Sequence, residues 1–331
     1  MNKRLIIAIV VMALMVIFSG CGVNTRDDDK INIVCTQFSQ YDWVKNIVGD
    51  VKGVEITLLV KNGVDMHSYQ PSADDMITIK QADVFIYVGG ESDSWIKDAL
   101  KQANSDMVKI NMMDILLNSD KSKELIAQEN IDDENHEEHI VQAIDNHEEH
   151  DHEFDNDEHI WLSLENAKIL CNEIKNKLCT MDSKNEQVYN DNCEQYINKI
   201  DDLINKYNKN IKSKNIKIVL ADRYPFAYLF RDNNIECFAA FNGCAAETEA
   251  SFETVIKLAD NLDKYNMKYI YISDETKRDF AKTIISNSKD DNREILFIES
   301  LQSVTQKKLD EGLTYIGAME DNLNKLMKSA E

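Results

Sequence analysis

Short β-rich apolar runs alternate with helical patterns twice along this chain, and a long proline-free helical stretch separates the two sets. The first set has strand-like runs at Ile31 to Cys35, Val54 to Val60, Val84 to Val88 and Val108 to Met112. Helical patterns lie between them near Tyr41 to Val48, Ser72 to Gln81 and Ser92 to Gln102. The second set has strands at Ile216 to Leu220, Glu236 to Ala240, Tyr269 to Ile272 and Ile295 to Ile298. Its helices are Phe226 to Arg231, Phe252 to Lys264, Lys277 to Ser286 and a closing Tyr315 to Lys328. Strands alternating with helices feed a mostly parallel sheet covered on both faces. The chain therefore predicts an α/β fold of two lobes, each with a four-stranded sheet.

Between the sets, Ala167, Leu170, Ile174 and Leu178 repeat at helical spacing. After a break near Met181-Asp182-Ser183, Val188, Cys193, Ile197, Ile200 and Ile204 resume it. The only prolines are Pro71 and Pro225, so nothing forces a hinge there. The expected organisation is a lobe over 31–160, a rigid linking helix within 161–210, and a second lobe over 211–331, with ligand in the cleft between lobes.

The N-terminus reads as a processing segment. Lys3 and Arg4 precede an uncharged apolar run, Leu5 to Phe18, then Ser19-Gly20-Cys21. The run is shorter than the roughly 20 residues of a full membrane span, and its order is that of a secretory signal. Cysteine directly after Ser-Gly resembles a bacterial lipobox, so residues 1–20 are expected to be a lipoprotein signal, Cys21 the acylated residue, and 21–30 a tether. Export permits disulfides. The six later cysteines (Cys35, Cys171, Cys179, Cys193, Cys237, Cys244) form no CxxC pair. Buried free thiols are the expectation.

The formal net charge is −22, and residues 129–158 alone hold 14 Asp or Glu with no Lys or Arg. An acidic body argues against nucleic acid as a partner. The acidic run also carries five of the seven histidines: His136, His139, His147, His150 and His152. Its composition buries too little apolar surface to offset ordering entropy, so about 130–155 reads as a disordered loop. The other two histidines lie in Gly63-Val64-Asp65-Met66-His67 and Asp157-Glu158-His159-Ile160-Trp161-Leu162. Neutral imidazole is the commonest ligand for borderline transition metals. Two fixed histidines at the rims of the lobes, joined by a histidine-rich loop, point to a metal gathered loosely and held tightly.

From about Ile31 onward the chain resembles the solute-binding lipoproteins of zinc and manganese ABC importers. The resemblance rests on Gly63 to Ser72 (GVDMHSYQPS), on Gln81-Ala82-Asp83-Val84 before a strand, and on Glu158-His159-Ile160-Trp161-Leu162. Tyr189 and Asn192 in the helical linker and the close, Tyr315 to Leu323 (YIGAMEDNL), complete it. It implies two lobes, a stiff linking helix and one metal between them. A third ligand, His or Glu, is expected three residues before a Phe-x-Tyr-Leu step. Here that step is Phe226-Ala227-Tyr228-Leu229, which places Arg223 at the ligand position. A guanidinium keeps its proton and repels a cation. Its neighbour Asp222 is then either the substitute ligand or the partner in an ion pair or cap. The carboxylate expected after the last strand is Glu299, with Glu247 and Glu249 in reserve; Glu275 reads as surface charge or a helix-start residue.

The resulting expectation is a membrane-anchored, monomeric, extracytoplasmic protein that captures Zn²⁺ and delivers it to an ABC permease, without enzymatic chemistry. Its ligands would be His67, His159, Asp222 and Glu299. Oxygen donors leave Mn²⁺, or Fe²⁺, open as the alternative cargo. A surface adhesin stabilised by metal is the reading from another class. A zinc hydrolase finds no HExxH helix, nucleophile elbow or phosphate-binding glycine loop to support it.

Overall fold

The computed structural model describes residues 30–127, 156–241 and 250–330. Cys21, the five histidines from His136 to His152, Cys244, Glu247 and Glu249 lie outside them. Among the described residues, no helix is long and apolar enough to cross a membrane.

The two expected sheets are present, and they share one topology. β1 (Ile31–Cys35), β2 (Val54–Leu58), β3 (Val84–Tyr87) and β4 (Val108–Asn111) form a parallel sheet in the order β2-β1-β3-β4. β5 (Lys217–Arg223), β6 (Glu236–Phe241), β7 (Tyr269–Ile272) and β8 (Glu294–Phe297) repeat it as β6-β5-β7-β8. In each sheet the chain reverses its direction of travel beside the first strand. The crevice at the carboxyl ends of the strands beside such a switch point is where α/β sheets bind ligands.

The helices begin where side chains can satisfy their free N–H groups. Gln37 and Gln40 form a capping box for α1 (Phe38–Val48), and Ser72 and Asp75 one for α2 (Ala73–Gln81). Short helices α3 (Ile96–Leu100) and α4 (Met112–Leu117) complete the first lobe. In the second, α7 (Ala227–Asp232), α8 (Phe252–Lys264), α9 (Arg278–Ser286), α10 (Gln306–Asp310) and α11 (Tyr315–Lys328) follow the linker helices α5 (Leu164–Met181) and α6 (Glu186–Tyr207).

The linker is two helices folded back on each other. Cys193 Sγ approaches the Cys171 carbonyl, and Lys168 pairs with Asp201 at 2.5 Å, so α5 and α6 run antiparallel. The break at Asp182 is held by Tyr189, whose hydroxyl donates to the Asp182 carboxylate at 2.6 Å. Asp42 on α1 accepts from the Tyr196 hydroxyl of α6 and from the Tyr315 backbone N–H that opens α11. One apolar core accordingly runs without interruption from the first sheet through the linker helices to one face of the second sheet, including Trp43, Trp161, Tyr228 and Tyr315. A separate cluster around Val219, Leu258 and Ile284 fills the other face of the second sheet. Close packing across the linker resists independent motion of the lobes. Cys35, Cys171 and Cys193 are buried free thiols; Cys179 and Cys237 are free and partly exposed.

Candidate metal centre

His67 belongs to a short 3₁₀ turn, Met66–Ser68, after β2. Asp65 caps that turn: its Oδ1 accepts the His67 N–H at 2.9 Å. His159 precedes another 3₁₀ turn, Ile160–Leu162, which leads into α5, and Asp157 Oδ1 accepts its N–H at 2.9 Å. In both cases an aspartate two residues upstream holds the histidine backbone.

The two rings meet. Their Nε2 atoms are 3.2 Å apart, with ring centroids 5.2 Å apart. Each Nδ1 faces an acid instead. His159 Nδ1 lies 3.0 Å from Asp157 Oδ1, and His67 Nδ1 lies 3.0 Å from Glu158 Oε1 and 2.7 Å from Ser92 Oγ. Ser92 in turn donates its hydroxyl to Glu158 Oε1 and its backbone N–H to Oε2. A carboxylate on Nδ1 fixes the tautomer with the lone pair on Nε2, orients the ring and raises its basicity as a ligand.

Burial alone would push the Glu158 carboxyl up. The hydrogen bond and charge of His67, the charge of His159 and the Ser92 hydroxyl outweigh it and hold Glu158 down at about 2. Asp93 behaves oppositely. Burial and the Glu158 charge push it up to about 7 against the N–H donors of Gly89 and Val88, so the charge of this pair resides on Glu158. Burial likewise disfavours the charged form of His159, but Asp157 and Glu158 overcome burial and the nearby Arg223, and its pKa ends raised. The backbone leaves room for this arrangement only because residue 90 is glycine. A Cβ there would sit 2.3 Å from Glu158 Oε2 and 2.4 Å from its Cβ.

The two carboxylates expected from the second lobe are held by other partners. Asp222 stands near the carboxyl end of β5, where the register with β6 shifts, and its carboxylate is bonded to Ser273 beyond β7. Its Oδ2 accepts from the Ser273 hydroxyl at 2.8 Å and backbone N–H at 3.2 Å, and its Oδ1 from the Arg223 N–H. Burial, and secondarily the Asp274 charge, push its carboxyl up against these donors. Glu299 ion-pairs with Lys308 and accepts the Leu301 N–H at 3.2 Å. Among the described residues, neither carboxylate touches an imidazole, and no three His, Cys, Asp or Glu side chains converge as a metal site. Of the expected quartet, the structure brings His67 and His159 together, while Asp222 and Glu299 are engaged by other donors. The physical reason is local competition: each of the other two carboxylates already has nearer donors.

Two other residues of the second lobe reach the first. Arg223 pairs with Asp65 Oδ2 and so grips the carboxylate that caps the His67 turn. Gln302 places its amide nitrogen 2.7 Å from His67 Nε2 and 2.8 Å from His159 Nε2. Asp65, Ser92, Asp157, Glu158 and Gln302 were not among the expected site residues. The acids adjoining each histidine were a usable signal for the first lobe; nothing in the sequence around Gln302 marks it.

Residues 33–329 match the family described as ZnuA, the periplasmic component A of a zinc-uptake complex. This chain belongs to that family. It is 27% identical to the zinc-binding lipoprotein AdcA of Streptococcus pneumoniae over 312 residues, 94% of this chain and 58% of that protein. It therefore spans little more than half the length of the streptococcal relatives. It is 26% identical to the high-affinity zinc uptake system protein ZnuA of Bacillus subtilis over 326 residues, covering 97% of this chain and 96% of that one. Among solved structures, the Zn(II)-bound ZnuA-like domain of S. pneumoniae AdcA has the same fold, with a TM-score of 0.68 at 24% identity over 91% of this chain and 99% of that one. The periplasmic zinc-binding protein TroA of Treponema pallidum gives 0.70 at 17% identity, over 91% and 99%.

Proposed function

We propose that this chain is the extracytoplasmic binding component of a metal importer, taking up Zn²⁺ between His67 and His159 and handing it to an ABC permease. The observation that carries the reading is the spacing of the two Nε2 atoms. Two nitrogens each about 2.0–2.1 Å from a tetrahedral zinc are about 3.3 Å apart, and these stand at 3.2 Å, both within reach of the same Gln302 amide. The carboxylates behind each Nδ1 and the family membership support the same reading. Nitrogen-rich coordination favours zinc over manganese as cargo.

The lipid anchor on Cys21 and action as a monomer at the outer face of the cell membrane belong to this proposal, as does the two-lobe division about 161–210. So does the metal-gathering role of His136, His139, His147, His150 and His152. Its support is positional. Ala127 and Asn156 pair as an antiparallel bridge, and Asp157 N–H donates to the Ile126 carbonyl at 2.7 Å, so the described residues on either side of that run meet close in sequence to His159. Weak sites tethered next to a strong one raise its effective metal supply.

Calorimetric titration of zinc into the full chain tests the reading. Deletion of residues 131–155 should leave a tight site, and His67→Ala should remove it. Zinc binding that survives His67→Ala but disappears with the deletion would place the metal elsewhere.

A further inference from the structure

We infer that Gln302 is the second lobe's donor to the cleft, and that its amide serves the site from both ends. Its N–H groups cap the two imidazoles, and its Oε1 becomes a neutral third ligand to an arriving ion. The inference rests on the cleft being a metal site.

The geometry is unusual in one respect. With both rings protonated at Nδ1, where the carboxylates lie, two Nε2 lone pairs 3.2 Å apart repel each other unless a donor or a cation lies between them. The Gln302 amide nitrogen lies within hydrogen-bond distance of both, and an NH₂ group has one hydrogen for each. A carboxylate at this place has no hydrogen to give and would add a third set of lone pairs. Turning the terminal torsion by half a rotation exchanges nitrogen for oxygen, so the same side chain can face an arriving cation.

The backbone around Gln302 is built to aim it. Leu301, buried and bulky, has φ +62°, in the left-handed region that non-glycine residues seldom adopt. Such strain persists where the surroundings over-determine it, and here they do. On one side the Ser300 carbonyl accepts from Trp161 Nε1 at 2.9 Å. On the other, the Ser303 hydroxyl donates to the Gly63 carbonyl, and Gly63 N–H donates to the Val304 carbonyl. Glu299 accepts the Leu301 N–H from within the same turn. Every one of these contacts fixes a neighbour of Gln302, and three of them fasten its loop to the first lobe or the linker entrance.

The consequence concerns charge. Two imidazoles and an amide oxygen bring no negative charge to the ion, and Arg223 stands near enough to oppose a cation at His159. Ligand charge tunes affinity, so Gln302 makes this a weaker, more readily emptied site than one closed by a carboxylate.

Zinc titration of the full chain against a competing chelator, with Gln302→Leu, Gln302→Glu and His67→Ala alongside the parent, tests the inference. Gln302→Leu should bind zinc at least about tenfold more weakly, and Gln302→Glu about tenfold more tightly because a charge is added. The opposite signs separate loss of a ligand from loss of folding. If His67→Ala abolishes binding while both Gln302 variants stay within about twofold of the parent, Gln302 is not a ligand and only this inference falls. If His67→Ala changes nothing, the metal reading of the cleft falls with it. A zinc-loaded crystal structure should show Gln302 Oε1 about 2.0–2.2 Å from the ion; a side chain swung away would overturn the assignment.

Discussion

The two walls of the cleft are built on opposite principles. The first lobe and linker entrance present two imidazoles, each backed by a carboxylate and held at its backbone by an aspartate two residues away. The second lobe has carboxylates within a few residues of the cleft, Asp222 and Glu299, yet commits both to other donors and offers an amide and a guanidinium instead. The difference teaches that a ligand is set by what else can reach its oxygens. Glu158 backs His67 while Ser92 donates to both of its oxygens. Glu299 lies beside Lys308, and among the described residues no imidazole competes for it.

The largest expected effect lies on the imidazole wall. Exchanging His159 for Asn should weaken zinc binding roughly a hundredfold or more, about 2.7 kcal/mol, in a chelator competition. Gly90→Ala attacks the same wall from behind, because the new methyl meets Glu158. Such overpacking costs about 1–3 kcal/mol, so a lower melting temperature without metal and a zinc affinity reduced by about tenfold are expected together.

The second wall can be repaired. Arg223→His removes a positive charge and supplies an imidazole where the family resemblance expects a third ligand, and should tighten zinc binding about tenfold. Weaker binding would instead mean that the Arg223–Asp65 pair matters more for holding the His67 turn than its charge costs.

Acid tests the buttress. Glu158 has a folded-state pKa of about 2 against an ordinary 4.5, so its contribution to stability is complete above the ordinary value and lost as pH falls toward 2. The metal-free parent should lose melting temperature across that window faster than Glu158→Gln, followed by circular dichroism. The smallest effects belong to Asp222→Asn and Glu299→Gln, whose zinc affinities should stay within about twofold of the parent. A loss from either that matched His159→Asn would erase the contrast between the walls.

Much of this was legible from the chain. The strands at Ile31–Cys35 and Tyr269–Ile272 and the helices at Phe252–Lys264 and Tyr315–Lys328 fall where the apolar period places them. The same holds for the break near Asp182. The linker's return on itself was not legible, because a helical period records which face is apolar but not which neighbour covers it. His67 and His159 could be singled out because each sits in a short phrase whose own backbone holds it.

What the sequence by itself determined, then, is two parallel sheets, a helical linker and a pair of histidines set into capped turns, since these follow from interactions between residues close in the chain. Only the tertiary structure decided that the rings meet at 3.2 Å, that Glu158 rather than Asp93 carries the charge behind them, and that Gln302 rather than Glu299 faces them. Those outcomes depend on competition among donors brought together from positions up to 235 residues apart. No local pattern encodes which of them wins.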